Sequence, residues 1–125
     1  MSQFQSGLET KTATIANAAA ISDAIDLGGK TLCSLMTPIA WTAAGIAFQG
    51  SFDGTTYAPL YENVQGVTTE VAIASGDIAT GAVRLFALDP ARFCGIRYLK
   101  IVSGTNAAGV NQGGQRLVTL GVRSL

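Results

Sequence analysis

The chain has no histidine, and only 13% of its 125 residues are charged. Histidine is the commonest acid–base catalyst near neutral pH and a frequent zinc ligand, so its absence removes the usual catalytic base and the zinc motifs that depend on it. A serine or cysteine nucleophile would need a lysine or a carboxylate instead, and none stands beside Cys33, Cys94 or Ser103 in the sequence. We therefore expect no enzymatic activity and no catalytic residues.

Motifs for cofactors and metals are also missing. The glycines between residues 104 and 114 are not followed by Gly-Lys-Ser/Thr, so they do not form a phosphate-binding loop. Asp53, Asp77 and Asp89 lie on separate predicted turns without a DxDxDG run, which favours hairpin and cap roles over calcium binding. We expect no cofactor and no metal site.

The two cysteines, the N-terminal residues and the short apolar runs are typical of a protein that folds in the cytoplasm. Cys33 and Cys94 lie in apolar, strand-like stretches outside any CxxC pair, so we favour buried free thiols, with a disulfide between them as the alternative. The first residues lack a signal-peptide pattern, and the apolar runs are too short to span a bilayer. No membrane partner is expected.

The formal net charge is zero, but the two signs are separated along the chain. Residues 1–83 hold seven acidic and two basic residues, whereas residues 84–125 hold six basic and one acidic residue. The two parts are expected to pair within one fold, with contact between neighbouring subunits as the alternative. Because the basic residues are scattered singly, nucleic acid is not an expected partner.

Short alternating stretches predict an all-β antiparallel β-sandwich, jelly-roll-like, with eight or nine strands. We expect an N-terminal arm over residues 1–9 and a sandwich domain over residues 10–125. Asp89 and Pro90 predict a short helical turn. The predicted strands cover residues 10–16, 20–27, 30–37, 42–52, 56–62, 67–73, 83–88, 95–104 and 115–123.

Three aromatic side chains and one acidic turn are candidates for ligand contact. Asp53-Gly54 is favoured as a tight hairpin turn of type I′ or with a G1 bulge, over a ligand site. Trp41 is favoured as a plug at the end of the core, and Tyr57 with Tyr61 as an edge cover. The alternative is a carbohydrate- or host-surface-binding strip formed by all three aromatics.

Two blocks, "P..WT.A.I.FQ.S.DG" from residue 38 and "R..KI.SGT…VNQ…R…L" from residue 97, carry a family resemblance. Through them, residues 20–125 resemble small structural proteins of tailed bacteriophages, most like capsid decoration (cement) proteins. The resemblance implies a β-sandwich that stabilises the capsid surface of the virion by binding the major capsid protein lattice, often as a trimer. A tail, neck or head-fibre component is the alternative.

Exposure and flexibility suggest which residues would contact such a partner. We expect contacts from the N-terminal arm and from the long loop over residues 103–114. The candidate contact residues are Phe4, Gln5, Leu8 and Glu9 in the arm, and Thr105, Asn106, Asn111 and Gln112 in the loop.

Overall fold

Two antiparallel sheets pack face to face in the computed structural model, which describes residues 8–124. The predicted all-β sandwich is confirmed. Two short 3₁₀ turns, Ser75–Asp77 and Pro90–Phe93, lie between strands. The strands of this range are β1 (Leu8–Ile15), β2 (Ile25–Asp26), β3 (Thr31–Met36), β4 (Ile46–Ser51), β5 (Ala58–Pro59), β6 (Tyr61–Val64), β7 (Val67–Glu70), β8 (Ala72–Ile73), β9 (Leu85–Ala87), β10 (Tyr98–Ser103) and β11 (Arg116–Arg123).

The strand order brings the two ends of the described chain together. The first sheet has the order β1-β11-β3-β9, so β1 and β9 are its edges. The second sheet has the order β2-β10-β4-β5, and β8 also pairs with β4. Strands β6 and β7 form a separate hairpin. Every strand pair is antiparallel.

Alternation along the strands places the core between the sheets. In β11, Val118, Leu120 and Val122 are fully buried, whereas the residues between them face outward. This is the two-residue period of a strand with one covered face. At the centre, the rings of Phe48 and Phe93 pack edge to face with centroids 5.1 Å apart.

Several predicted strand bounds were wrong. The stretches 56–62 and 67–73 each divide into two strands, which raises the number to eleven within residues 8–124. They divide at Leu60 and Val71, where the Val71 amide donates to the Leu60 carbonyl. The stretch 20–27 contributes only the short strand β2 and one isolated bridge, from Ile21 to Val102.

The helical turn near Asp89 is confirmed. Asp89 caps the turn over Pro90–Phe93, and its side chain accepts a hydrogen bond of 3.0 Å from the Ala91 amide. Proline at the first position suits such a turn, because its missing amide has no partner there in any case. Within residues 8–124, no helix has the length and apolar character needed to cross a membrane.

Ion pairs join the acidic and the basic parts of the chain. Arg97 Nε lies 2.8 Å from Asp26 Oδ1, and Arg92 Nε lies 2.8 Å from Glu62 Oε2. The Arg97 hydrogen bond, helped by the Gly28 amide, lowers the pKa of Asp26 to about 2. The two parts thus contact each other within one subunit, which was the favoured interpretation.

The Asp26 pair predicts how stability depends on acid. Because the folded pKa of Asp26 is about 2, below its ordinary 3.8, its contribution is complete above pH 3.8 and is lost as the pH falls toward 2. We expect Asp26→Asn to lower the urea midpoint at pH 7 and to flatten its change between pH 4 and pH 2. Asp77→Asn is the control, because the Asp77 side chain makes no ion pair within residues 8–124. Parallel pH profiles for the wild type and Asp26→Asn would contradict the expectation.

Candidate interaction surface

The loop predicted to contact a partner is anchored to the sandwich through Gln112. The Gln112 side chain is 1% exposed. Its Oε1 accepts from the Thr42 amide (2.8 Å) and from Arg116 Nε (3.0 Å). Its Nε2 donates to the Thr42 carbonyl (3.0 Å) and to Ser103 Oγ (2.7 Å). Both ends of the amide are satisfied inside the protein, so the prediction of Gln112 as a partner contact was wrong.

Asn106 is likewise a cross-link between strands. Its side-chain amide donates to Glu70 Oε2 (2.6 Å) and to the Phe48 carbonyl (3.1 Å), and its Oδ1 accepts from Gln49. These bonds tie the loop to β4 and β7. Asn106 and Gln112 thus hold the loop to other segments of the same chain, so these two predicted contact residues face inward rather than toward a partner.

The other two loop candidates are exposed. Thr105 Oγ accepts from the Ala108 amide at 3.0 Å, which closes a small turn within the loop. Asn111 is exposed beside the buried Gln112. Of the four loop residues, only these two remain available to a partner.

Two residues of the predicted arm lie in a strand. Leu8 and Glu9 belong to β1 and pair with β11, at Arg123 and Val122. Leu8 is 59% exposed. Glu9 binds the ammonium groups of Lys30 (2.7 Å) and Lys11 (3.0 Å), and these bonds lower the pKa of its carboxyl. Phe4 and Gln5 lie outside the described residues.

The three aromatic candidates do not form one strip. Trp41 is 4% exposed, and its Nε1 donates to the Ala44 carbonyl at 3.0 Å, so its ring cannot stack on a ligand. Tyr57 is half-buried, and Lys100 Nζ lies 4.2 Å from the centre of its ring. Tyr61 is exposed on β6. The structure thus rules out Trp41 as a ligand contact.

Asp53 organises a hairpin loop that is longer than predicted. Asp53 Oδ1 accepts from the amides of Thr56 and Thr55 and from Ser51 Oγ, and these bonds lower the pKa of Asp53. Gly54 has a φ of +79°, but Asp53 does not have a positive φ, so a type I′ turn is excluded. Residues 51–57 connect the paired Gly50 and Ala58.

An apolar groove of about 350 Å³ lies beside this loop. Phe52 at its rim is 85% exposed. The floor is formed largely by aliphatic side chains, among them Leu60 and Ile96. No cluster of three or more potential metal-ligating side chains occurs within residues 8–124.

The outward face of the first sheet carries no charged side chain over its central rows. Strand pairing aligns Thr12, Thr119, Met36 and Leu85 in one row across all four strands. The next row contains Thr10, Gly121, Ser34 and Ala87. Thr14 and Leu117 form a pair on the other side of the first row. We call these ten residues the neutral face.

Large apolar side chains lie on and beside the neutral face. Leu85 is 66% exposed, Leu117 51% and Met36 39%. Ile39, which follows β3 in the chain, and Val83, which precedes β9, are also apolar and exposed. Sequence reasoning missed this face, because it depends on which strands are neighbours in the sheet.

Comparisons with known proteins do not assign a family. No protein-family model matches the chain, and neither a curated protein nor a solved structure shows a significant match. The function is therefore inferred from the chain itself, chiefly from the chemistry of its surface.

The role of Gln112 can be tested against its exposed neighbour. Gln112→Ala leaves the Thr42 backbone groups and Ser103 Oγ without their buried partner, so we expect a loss of about 2–4 kcal/mol in the free energy of unfolding. Asn111→Ala is the matched control and should change stability by less than about 0.5 kcal/mol. Urea denaturation measures both. If Gln112→Ala were as stable as Asn111→Ala, the role of Gln112 as an internal cross-link would be contradicted.

Proposed function

We propose that this protein is a structural subunit of a tailed-phage virion that decorates the head by binding the major capsid protein lattice. The observation that carries the proposal is the neutral face. Ten outward positions on four strands hold no charge, and Leu85, Met36 and Leu117 among them are large, apolar and exposed.

The chemistry of this face suits a contact with another protein. Contiguous exposed apolar patches on small proteins commonly mark interaction sites, and the centres of protein interfaces are depleted in charged residues. Threonine, serine, alanine and glycine give the rest of the face a low relief, which favours a broad contact. A protein that binds a lattice in many copies needs only a modest affinity at each contact to stabilise the whole shell.

The strand order is compatible with this class of virion protein. Strands β1, β3, β9 and β11 form the first sheet, and β2, β4, β5 and β10 form the main path of the second. The chain therefore crosses repeatedly between the sheets, as in a sandwich built from two Greek keys. We infer a jelly-roll arrangement from this order.

The two blocks that carry the phage resemblance meet in space. Gln49 and Phe48, in the first block, bind Asn106, which follows directly on the "SGT" of the second. The two blocks thus contact each other on the second sheet, through β4 and the loop that follows β10.

Two alternatives to the decoration role arise from the sequence, and the structure bears on them differently. A tail, neck or head-fibre component would use the same neutral face, so only location within the virion separates it from a decoration protein. A carbohydrate-binding module gains no support from the geometry, because Trp41 is enclosed.

Binding to heads tests the proposal. Leu85→Glu places a carboxylate on the neutral face at a largely exposed position, and we expect it to weaken co-sedimentation with phage heads that lack this protein by at least about tenfold. Val64→Glu is the matched control, because Val64 is similarly exposed but lies on the β6–β7 hairpin.

Three outcomes would overturn the decoration role. The wild-type protein could fail to bind heads, or Leu85→Glu could bind heads as well as the wild type does. The third outcome is that density for this protein is confined to the tail of the virion. The last is measured by reconstructing virions with and without the protein.

A further inference from the structure

We propose that two copies of this protein pair through the free edge of β1, in antiparallel register about Thr10, to form one continuous eight-stranded sheet. The inference deepens the proposed function and rests on it only for the use of the dimer in the virion. The pairing itself follows from the backbone of β1 and from two charged side chains.

The bonds to Asp23 show which way the backbone groups of β1 point. The Thr14 amide donates to Asp23 Oδ1 at 2.9 Å, and the Asp23 amide donates to the Thr14 carbonyl at 3.1 Å. Both backbone groups of Thr14 therefore point away from β11. Since these directions alternate along an antiparallel strand, Leu8, Thr10 and Thr12 also present their amides and carbonyls to the free edge.

This edge has no partner within the described part of the chain. Among residues 8–124, β1 pairs only with β11, and the further backbone and side-chain hydrogen bonds do not include the outward groups of Leu8, Thr10 or Thr12. Unpaired strand edges of this kind bind an added strand readily. Asp23 covers the edge at Thr14 and so limits the open part to the preceding residues.

The charged side chains of β1 indicate that the strand added at its edge is β1 of a second copy. In antiparallel pairing centred on Thr10, Leu8 lies opposite Thr12 of the second copy, and Thr10 opposite its own equivalent. These pairs would make about six backbone hydrogen bonds. Between them, Glu9 lies directly opposite Lys11 of the second copy, and Lys11 opposite its Glu9. Such close cross-strand pairs of opposite charge favour one register.

The neighbouring registers are disfavoured. A shift of the centre to residue 9 places two Glu9 side chains opposite each other, and a shift to residue 11 does the same for Lys11. A shift to Thr12 brings the incoming strand against Thr14, where Asp23 already holds the backbone groups.

A lysine on an edge strand often prevents pairing with other chains. Here Lys11 is two residues from Glu9 and on the same side of the strand, so the edge is complementary to a copy of itself. Lys30 also binds Glu9 and would keep a cation beside it in the dimer.

The proposed pairing extends the neutral face. The two first sheets would join through β1, and the outward threonines at positions 10 and 12 of both copies would lie side by side. A two-fold contact of this kind gives a dimer. It differs from the trimer that the phage resemblance implies, so the oligomeric state decides between them.

A proline substitution at Thr10, the centre of the β1 edge, tests whether two copies pair through β1. Thr10→Pro removes an outward amide that makes no bond within residues 8–124, and proline is tolerated on edge strands. Sedimentation equilibrium of the full chain should show a wild-type dimer and at least about a tenfold weaker association for Thr10→Pro. Ala87→Pro is the matched control, because it removes an outward amide from β9 at the opposite edge of the same sheet.

Cysteine cross-linking tests the register in the Cys33→Ser, Cys94→Ser background. Thr10→Cys should form a covalent dimer under mild oxidation, because paired Cα atoms at the two-fold axis lie about 5.5 Å apart, within reach of a disulfide. Thr12→Cys should not, since its two copies would be offset by four residues, or about 13 Å. This second measurement keeps the proposal testable if Thr10→Pro does not fold.

The outcomes separate this inference from the proposed function. A monomeric or trimeric wild type, or efficient cross-linking through residue 12 and not residue 10, overturns the β1 dimer. Head binding by the wild type still tests the decoration role in that case. A dimer that fails to bind heads supports the pairing and overturns the proposed function.

Discussion

The buried side-chain amide of Gln112 is the interaction on which the end of the sandwich depends. It joins Thr42, which precedes β4, to Ser103 at the end of β10 and to Arg116 at the start of β11. A buried amide must satisfy both its oxygen and its nitrogen, so these three segments can meet in only a few ways. The position of β11 then determines which strands stand beside it, and hence the composition of the outward face.

Charge is placed around this surface rather than on it. The ion pairs of Asp26 and Glu62 join loops and strands at other places in the fold, and Glu9 and Lys11 lie on the inward side of an edge strand. The central outward rows of the first sheet remain neutral. A surface of this composition is suited to burial against protein, because no charged group needs to be desolvated.

Local patterns predicted local structure well. The alternation over residues 115–123 predicted a strand, and Asp89-Pro90 predicted a capped turn; both are present. Patterns failed where a side chain binds a distant segment. Asn106 and Gln112 are polar residues in a glycine-rich loop, which is typical of an exposed contact, yet Gln112 is buried because Thr42, 70 positions away in the chain, supplies its partners.

The amino-acid sequence by itself determined the all-β class, the location of the longer strands and the lack of histidine-based chemistry, because these follow from composition and from a period of two residues. Only the tertiary structure decided that β1, β11, β3 and β9 lie side by side, that Trp41 is enclosed and that the edge at Leu8, Thr10 and Thr12 has no partner among residues 8–124. The physical reason is that neighbours across a sheet are set by packing between segments far apart in the chain, which no local period records.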